Sequence, residues 1–138
     1  MPAGPRQPLI GRPMEEKPRT ILVVEDEAPH LTLLKTVFEK AGYRVLPAKD
    51  GVEAIDTYKR HAETIDVVLC DMALPSLGGW TVYLSLKEID PDVKMILTSG
   101  YLDQRVKSSF VAGGVKDFIA KPYAAETLLK SVRQALEN

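Results

Sequence analysis

From Thr20 onward, short apolar runs alternate with stretches of helical period, and this alternation restricts the chain to few folds. The first run, residues 21–24, is continuously apolar, as a strand buried on both faces requires. The later runs are Val45–Leu46, Val67–Cys70, Met95–Leu97 and Phe118–Ile119. Five strands alternating with five helices predict a doubly wound α/β domain with a parallel sheet, because each right-handed crossover returns across the sheet.

Apolar residues at three-and-four spacing mark the helices between these runs. Their leading positions are Leu31 to Ala41, Val52 to Tyr58, Trp80 to Leu86, Leu102 to Phe110 and Leu128 to Leu136. Gly42 fits the left-handed end of the first helix. Asp50 with Glu53 fits an acid-capped start of the second, and Pro91 lies just past the expected end of the third.

The N-terminal stretch differs in composition from the rest. Five of the ten prolines fall within residues 1–18, where they alternate with glycine and basic residues. This composition predicts a disordered tail or linker over 1–18 and a single domain over 19–138, because 138 residues suit one ordinary domain.

Charge and cysteine content exclude several classes of function. The 18 basic and 19 acidic residues nearly balance, which argues against a nucleic-acid or anionic-membrane surface. No apolar run approaches the roughly 18 residues that span a bilayer, and the N-terminus lacks the apolar core of a signal peptide. The lone Cys70 excludes an internal disulfide and a cysteine-based zinc cluster, so we expect a cytoplasmic protein.

Polar and charged residues follow the predicted strands where ligands bind in open α/β sheets. The residues after the first run are Glu25, Asp26 and Glu27, and those after the fourth are Thr98, Ser99 and Gly100, while Asp71 follows the third and Lys121 the fifth. Two carboxylates about 4 Å apart repel by about 4 kcal/mol at an effective dielectric of about 20. Such a cluster favours a nearby lysine and a hard cation, Mg²⁺ or Mn²⁺, and indicates a carboxylate that accepts a phosphoryl group.

These segments resemble the receiver domain of two-component response regulators. The matching stretches are residues 21–27, Asp71–Pro75 with Gly78–Gly79, Leu97–Gly100 and Phe118–Tyr123. The resemblance implies the flavodoxin-like fold, a five-stranded sheet of order 2-1-3-4-5 with five helices. It leaves open whether the chain is a stand-alone regulator or the terminal receiver of a hybrid sensor kinase.

The resemblance implies a role for each residue of the acidic cluster. Asp71 accepts phosphate from a histidine kinase or a histidine phosphotransfer protein. Asp26 contacts Mg²⁺ directly, Glu25 reaches the ion through water, and the backbone carbonyl of Ala73 completes the protein's share.

The resemblance also implies roles at the last two strands. Lys121 pairs with the acceptor carboxylate, and the peptide bond from Lys121 to Pro122 is expected to be cis. Neighbours on a strand point to opposite faces, so only one of Thr98 and Ser99 can face the phosphate, and the family's spacing selects Ser99. Phe118 is then the aromatic switch.

The implied output is a protein contact. Phosphate on Asp71 is expected to draw Ser99 inward, let Phe118 fill the space, and remodel the face of the fourth helix, fifth strand and fifth helix. A downstream protein binds that face, and the chain is a monomer or a weak phosphorylation-dependent dimer. Ala73 provides no group to orient water and Tyr101 is bulky, so we expect slow self-dephosphorylation.

Two other functions remain open from the residues. A small Mg²⁺-dependent phosphatase with an aspartate nucleophile uses a similar strand end, but it normally has a second aspartate where this chain has Ala73. A flavin or nucleotide carrier shares the fold, but the chain lacks the glycine-rich phosphate loops. His30, near the start of the first helix, could approach the acidic edge, but it is interpreted as a solvated or cap-adjacent histidine. Cys70 is interpreted as a buried core residue.

Overall fold

The structure is a computed structural model that describes residues 18–101 and 103–137. Over these residues the strands are β1 Thr20–Val24, β2 Arg44–Ala48, β3 Ile65–Asp71, β4 Met95–Ser99 and β5 Asp117–Ala120. The helices are α1 Ala28–Lys40, α2 Gly51–His61, α3 Gly79–Ile89, α4 Gln104–Ala112 and α5 Ala125–Glu137. All but the last residue of the predicted tail, and the predicted place of Leu102 in the fourth helix, lie outside the described residues.

The five strands form one parallel sheet of order β2-β1-β3-β4-β5, which confirms the predicted fold. Pro47 lies in β2, an edge strand, where a missing N–H donor is tolerated. The order reverses between β1 and β3, the strands that carry Glu25 and Asp71 at their carboxyl ends. A doubly wound sheet places its binding crevice at this reversal.

Two buried layers hold the sheet between its helices. In β1, Ile21 and Val23 belong to the core cluster that contains residues of α1 and α5, whereas Leu22 and Val24 belong to the cluster that contains residues of α2 and α3. Alternate residues of a strand face opposite sides, so a run that is buried throughout requires helices on both faces. None of the helices in the described part of the chain is long and apolar enough to cross a bilayer.

Local signals set the ends of the first two helices. The helix α1 begins at Ala28, ahead of its first apolar position, because Pro29 is well suited to a first turn whose N–H groups need no intrahelical partner. Gly42 has a φ of +97°, the left-handed conformation predicted for the end of α1. Asp50 caps α2 by accepting a hydrogen bond of 2.7 Å from the Glu53 backbone N–H.

Candidate functional site

Three predicted site carboxylates meet at the switch point of the sheet. Glu25, Asp26 and Asp71 each offer an oxygen atom, and these oxygens all lie within 4.8 Å of one another. Glu25 is 1% exposed and Asp71 is 7% exposed, whereas Asp26 faces solvent. The cluster is therefore an acidic pocket that opens on the side of Asp26.

Lys121 supplies a positive charge between two of these carboxylates. Its Nζ donates a hydrogen bond of 3.1 Å to Asp71 Oδ2 and lies 3.5 Å from Glu25 Oε1. The backbone N–H of Lys121 donates to the Ser99 carbonyl at 2.7 Å, which continues the pairing of β5 with β4 into the loop. The peptide bond between Lys121 and Pro122 is cis.

The loop after β3 closes around the Asp71 carboxylate. Asp71 Oδ1 accepts a hydrogen bond of 3.1 Å from the backbone N–H of Ala73. Gly79 starts α3 directly beside this strand end, and a Cβ atom there would lie 2.8 Å from the Asp71 carbonyl oxygen. The close approach of α3 to β3 therefore requires glycine at this position.

Burial and charge act against each other in this pocket. Burial raises the pKa of the Glu25 carboxyl above its usual value, although the Glu27 backbone N–H and the Lys121 ammonium oppose that shift. Burial lowers the pKa of Lys121, but the hydrogen bond and charge of Asp71, together with Glu25, outweigh it and raise the pKa. Lys121 is thus held in its charged form, while the ionised form of Glu25 is disfavoured.

Ser99 and Thr98 take different positions at the end of β4. Thr98 is 2% exposed, while Ser99 is half-buried at the sheet edge where the acids gather. The Ser99 Oγ accepts a hydrogen bond of 3.1 Å from the backbone N–H of Tyr101, which itself is 74% exposed. The strand thus brings Ser99, and not Thr98, to the accessible edge.

His30 lies closer to the site than its sequence context indicated. His30 Nε2 is 2.6 Å from the Tyr123 hydroxyl and 3.7 Å from Glu25 Oε1. Burial, with the charges of Glu25 and Asp71, raises the pKa of Tyr123 to about 12. The phenol therefore keeps its proton and forms a hydrogen bond with the His30 ring nitrogen, in which the tautomer of His30 sets the donor. Because the two residues are 93 positions apart, no local pattern could reveal the pair.

Phe118 lies at one end of a row of aromatic rings behind the site. It is 2% exposed and stacks on Phe110 of α4, with ring centroids 5.5 Å apart. Phe110 in turn stacks on Trp80 of α3 at 4.7 Å, and Trp80 lies 5.3 Å from Tyr83. The predicted switch residue is thus connected through Phe110 to two helices.

The donor set of the acidic pocket fits a hard divalent cation. Its side-chain ligands are carboxylate oxygens, without thiolate or imidazole among the three clustered residues. Mg²⁺ binds to proteins through one or two carboxylates and keeps several water ligands, which suits a pocket with one open side. Glu25, Asp26 and Asp71 are therefore suitable ligands for Mg²⁺ or Mn²⁺.

The fold and the site together define a flavodoxin-like α/β domain with an acidic, lysine-paired pocket at its switch point. A family model described as response regulator receiver domain matches residues 21–133, so the chain belongs to that family. Receiver domains of two-component systems are signalling regulators that bind Mg²⁺ at an acidic pocket. The predicted function as a receiver domain of a two-component system is confirmed. The comparisons do not support the phosphatase alternative.

Individual relatives agree with the family match. The chain is 32% identical over 117 residues to the chemotaxis protein CheY of Bacillus subtilis, covering 84% of this chain and 96% of that protein. A receiver domain from Clostridium thermocellum superposes with a TM-score of 0.82 at 28% identity, covering 86% of this chain and 94% of the other. CheY in the CheX–CheY–BeF₃–Mg²⁺ complex of Borrelia burgdorferi gives a TM-score of 0.81 at 29% identity, with coverages of 85% and 88%.

Proposed function

We propose that Asp71 is the phosphoacceptor of this receiver domain. The observation that carries the proposal is the arrangement around its carboxylate: Oδ2 faces Lys121, Oδ1 faces the Ala73 N–H, and two further carboxylates lie within 4.8 Å. An Asp71 oxygen attacks the phosphorus of a phosphohistidine on a histidine kinase or phosphotransfer protein. The phosphorus–nitrogen bond breaks, the imidazole leaves, and an acyl phosphate forms on Asp71.

The acidic pocket holds the metal that this transfer requires. Glu25, Asp26 and Asp71, with the backbone carbonyl of Ala73, form the protein's share of the Mg²⁺ or Mn²⁺ site. When bound, the cation neutralises charge on the phosphoryl oxygens. The complex of the B. burgdorferi relative with BeF₃ and Mg²⁺ supports this assignment, because it combines a phosphoryl-like group with the same kind of cation.

Lys121 and Ser99 act on the transferred group. Lys121 carries its charge at 3.1 Å from Asp71 Oδ2, so it is positioned to neutralise the phosphoryl oxygens once the acyl phosphate forms. The Ser99 hydroxyl lies at the same edge and is available to donate a hydrogen bond to those oxygens.

The aromatic row supports an output through α4. Among described residues 104–112 none is buried, and Phe110 is the stacked residue that connects this helix to Phe118. Phe118 is buried in this structure and stacks on Phe110. A movement of β5 or of Ser99 that displaces the Phe118 ring therefore also displaces Phe110 and, with it, α4. Asp117 adds two contacts, with Lys107 of α4 at 3.7 Å and with the Ser131 hydroxyl of α5 at 2.7 Å.

The face formed by α4, β5 and α5 is therefore the surface on which we place the downstream protein. The chain works as a cytoplasmic regulator, with at most self-phosphotransfer and slow self-dephosphorylation. It needs no contact with nucleic acid or membrane, and it is a monomer or a weak dimer that forms on phosphorylation.

Binding of beryllofluoride in the presence of Mg²⁺ tests the proposal without a kinase. We expect wild-type protein to bind it with a change in Trp80 fluorescence, because Trp80 stacks on Phe110, which stacks on Phe118. The Asp71→Asn variant should show no binding, and Cys70→Ser, one residue earlier in the same strand, should bind if it folds. Wild-type protein that binds no beryllofluoride at any Mg²⁺ concentration would refute the switch function.

A further inference from the structure

The loop between β5 and α5 is attached to the body of the domain at both of its ends. At the first end, the Lys121 N–H bonds to the Ser99 carbonyl of β4 at 2.7 Å. At the second, the Tyr123 hydroxyl is hydrogen-bonded to His30 Nε2 of α1 at 2.6 Å. Only Pro122 separates these two attachments, so the backbone of Lys121 has little freedom to move relative to β4 and α1.

This attachment matters because Lys121 carries out its role with a long side chain. The lysine side chain is 25% exposed, and a lysine side chain loses more rotamer entropy than most when it is fixed. Its Nζ nevertheless lies between Asp71 Oδ2 at 3.1 Å and Glu25 Oε1 at 3.5 Å. Because the backbone is fixed on both sides of Lys121, its Cα stays where the side chain can place Nζ between Asp71 and Glu25.

We propose that the hydrogen bond between His30 and Tyr123 positions Lys121 for phosphoryl transfer to Asp71. The inference rests on the proposed function, and it makes His30 and Tyr123 positioning residues that act through the lysine. A hydrogen bond contributes about 0.5–1.5 kcal/mol, so its loss should slow phosphorylation about two- to tenfold. Tyr123→Phe should leave Mg²⁺ affinity unchanged, because Tyr123 is not among the cation's proposed ligands, whereas His30 also lies 3.7 Å from Glu25 Oε1.

The test measures the rate of Asp71 phosphorylation by acetyl phosphate at saturating Mg²⁺, with Mg²⁺ affinity measured by calorimetry. Tyr123→Phe keeps the ring and removes the hydroxyl that bonds to His30, so we expect the two- to tenfold loss. His30→Ala should give a similar loss, whereas His30→Gln should restore the rate, because the glutamine amide can accept or donate the hydrogen bond to the Tyr123 hydroxyl. Tyr43→Phe, at another half-buried tyrosine, is the control and should match wild type.

A Lys121→Ala background separates positioning from general stability. If Tyr123 acts through the lysine, Tyr123→Phe should cause no further slowing there. Where that background is too slow to time, the comparison uses the equilibrium affinity for beryllofluoride with Mg²⁺.

Three results would overturn the inference: a wild-type rate for Tyr123→Phe, an equal loss with and without Lys121, or a His30→Gln variant as slow as His30→Ala. A wild-type protein that is not phosphorylated, or an Asp71→Asn variant that is phosphorylated equally, refutes the proposed function instead.

Discussion

Glu25 offers a direct test of the electrostatics of the acidic pocket. Its carboxylate is 1% exposed and lies within 4.8 Å of oxygens of Asp71 and Asp26. At an effective dielectric of about 20, one such neighbour at 4.8 Å repels it by about 3.5 kcal/mol, and Lys121 Nζ at 3.5 Å attracts it by about 5 kcal/mol. Asp26, the second neighbouring acid, is exposed and its repulsion is more screened. Attraction and repulsion therefore roughly cancel, and the cost of burying the charge decides whether ionised Glu25 stabilises or destabilises the fold.

We therefore expect Glu25→Gln to stabilise the metal-free domain. The free energy of unfolding should rise by about 1–2 kcal/mol, which corresponds to about 3–8 °C in Tm. Lys121 keeps Asp71 as its partner after the substitution, and the glutamine carbonyl can still accept the Glu27 N–H. Urea unfolding in EDTA measures the change, and Glu27→Gln, an exposed neighbour without a side-chain capping bond, should change stability by less than about 0.5 kcal/mol.

Bound Mg²⁺ and a lower pH should each reduce the stability advantage of Glu25→Gln over wild type. Wild type should gain about 2.7 kcal/mol in Mg²⁺ at about 100 times its Kd, and the variant less, because it lacks one carboxylate ligand. Burial raises the pKa of folded Glu25, so its ionised form destabilises the fold above that pKa. The penalty fades as pH falls through the raised pKa, and the advantage of the variant should fade with it. A Glu25→Gln variant that is less stable than wild type in EDTA at neutral pH would refute this reasoning.

Three further predictions concern other parts of the domain. Asp50→Ala should cost about 1 kcal/mol in urea unfolding, because the Glu53 N–H loses its cap, and an unchanged midpoint would contradict this. Ala73→Asn should shorten the lifetime of the phosphorylated protein several-fold by adding an amide that orients water, as followed by loss of radiolabel; an equal or longer lifetime would count against it. Phe110→Ala should preserve beryllofluoride binding but abolish the accompanying Trp80 fluorescence change, and a full fluorescence change would show that the signal takes another route.

Local sequence signals were enough to predict the architecture. The apolar runs correspond to the five strands because a parallel strand covered on both faces contains few polar residues. The Asp50 cap and the Gly42 helix end were also predictable, since each depends on side-chain or backbone chemistry within a few residues. The carboxyl ends of parallel strands share one edge, so the meeting of Glu25 and Asp71 followed from the predicted sheet.

Long-range packing limited what the sequence could reveal about the site. The sequence favours a solvated or cap-adjacent His30 over one that approaches the acidic edge, because its contact with Tyr123 depends on how α1 packs beside the loop after β5. The stacking of Phe110 between Phe118 and Trp80 likewise joins three elements that are distant in sequence. Helical spacing predicts that such residues face a core, but it does not identify which side chains they meet.

Mapping of the phosphorylated residue tests the central claim most directly. The protein is incubated with acetyl phosphate and Mg²⁺, reduced with borohydride to trap the acyl phosphate, digested, and analysed by mass spectrometry. The account predicts modification of Asp71 in wild type, none at that peptide in Asp71→Asn, and none in EDTA. Modification at another residue with Asp71 unchanged, or labelling of Asp71 that proceeds equally well without a divalent cation, would contradict it.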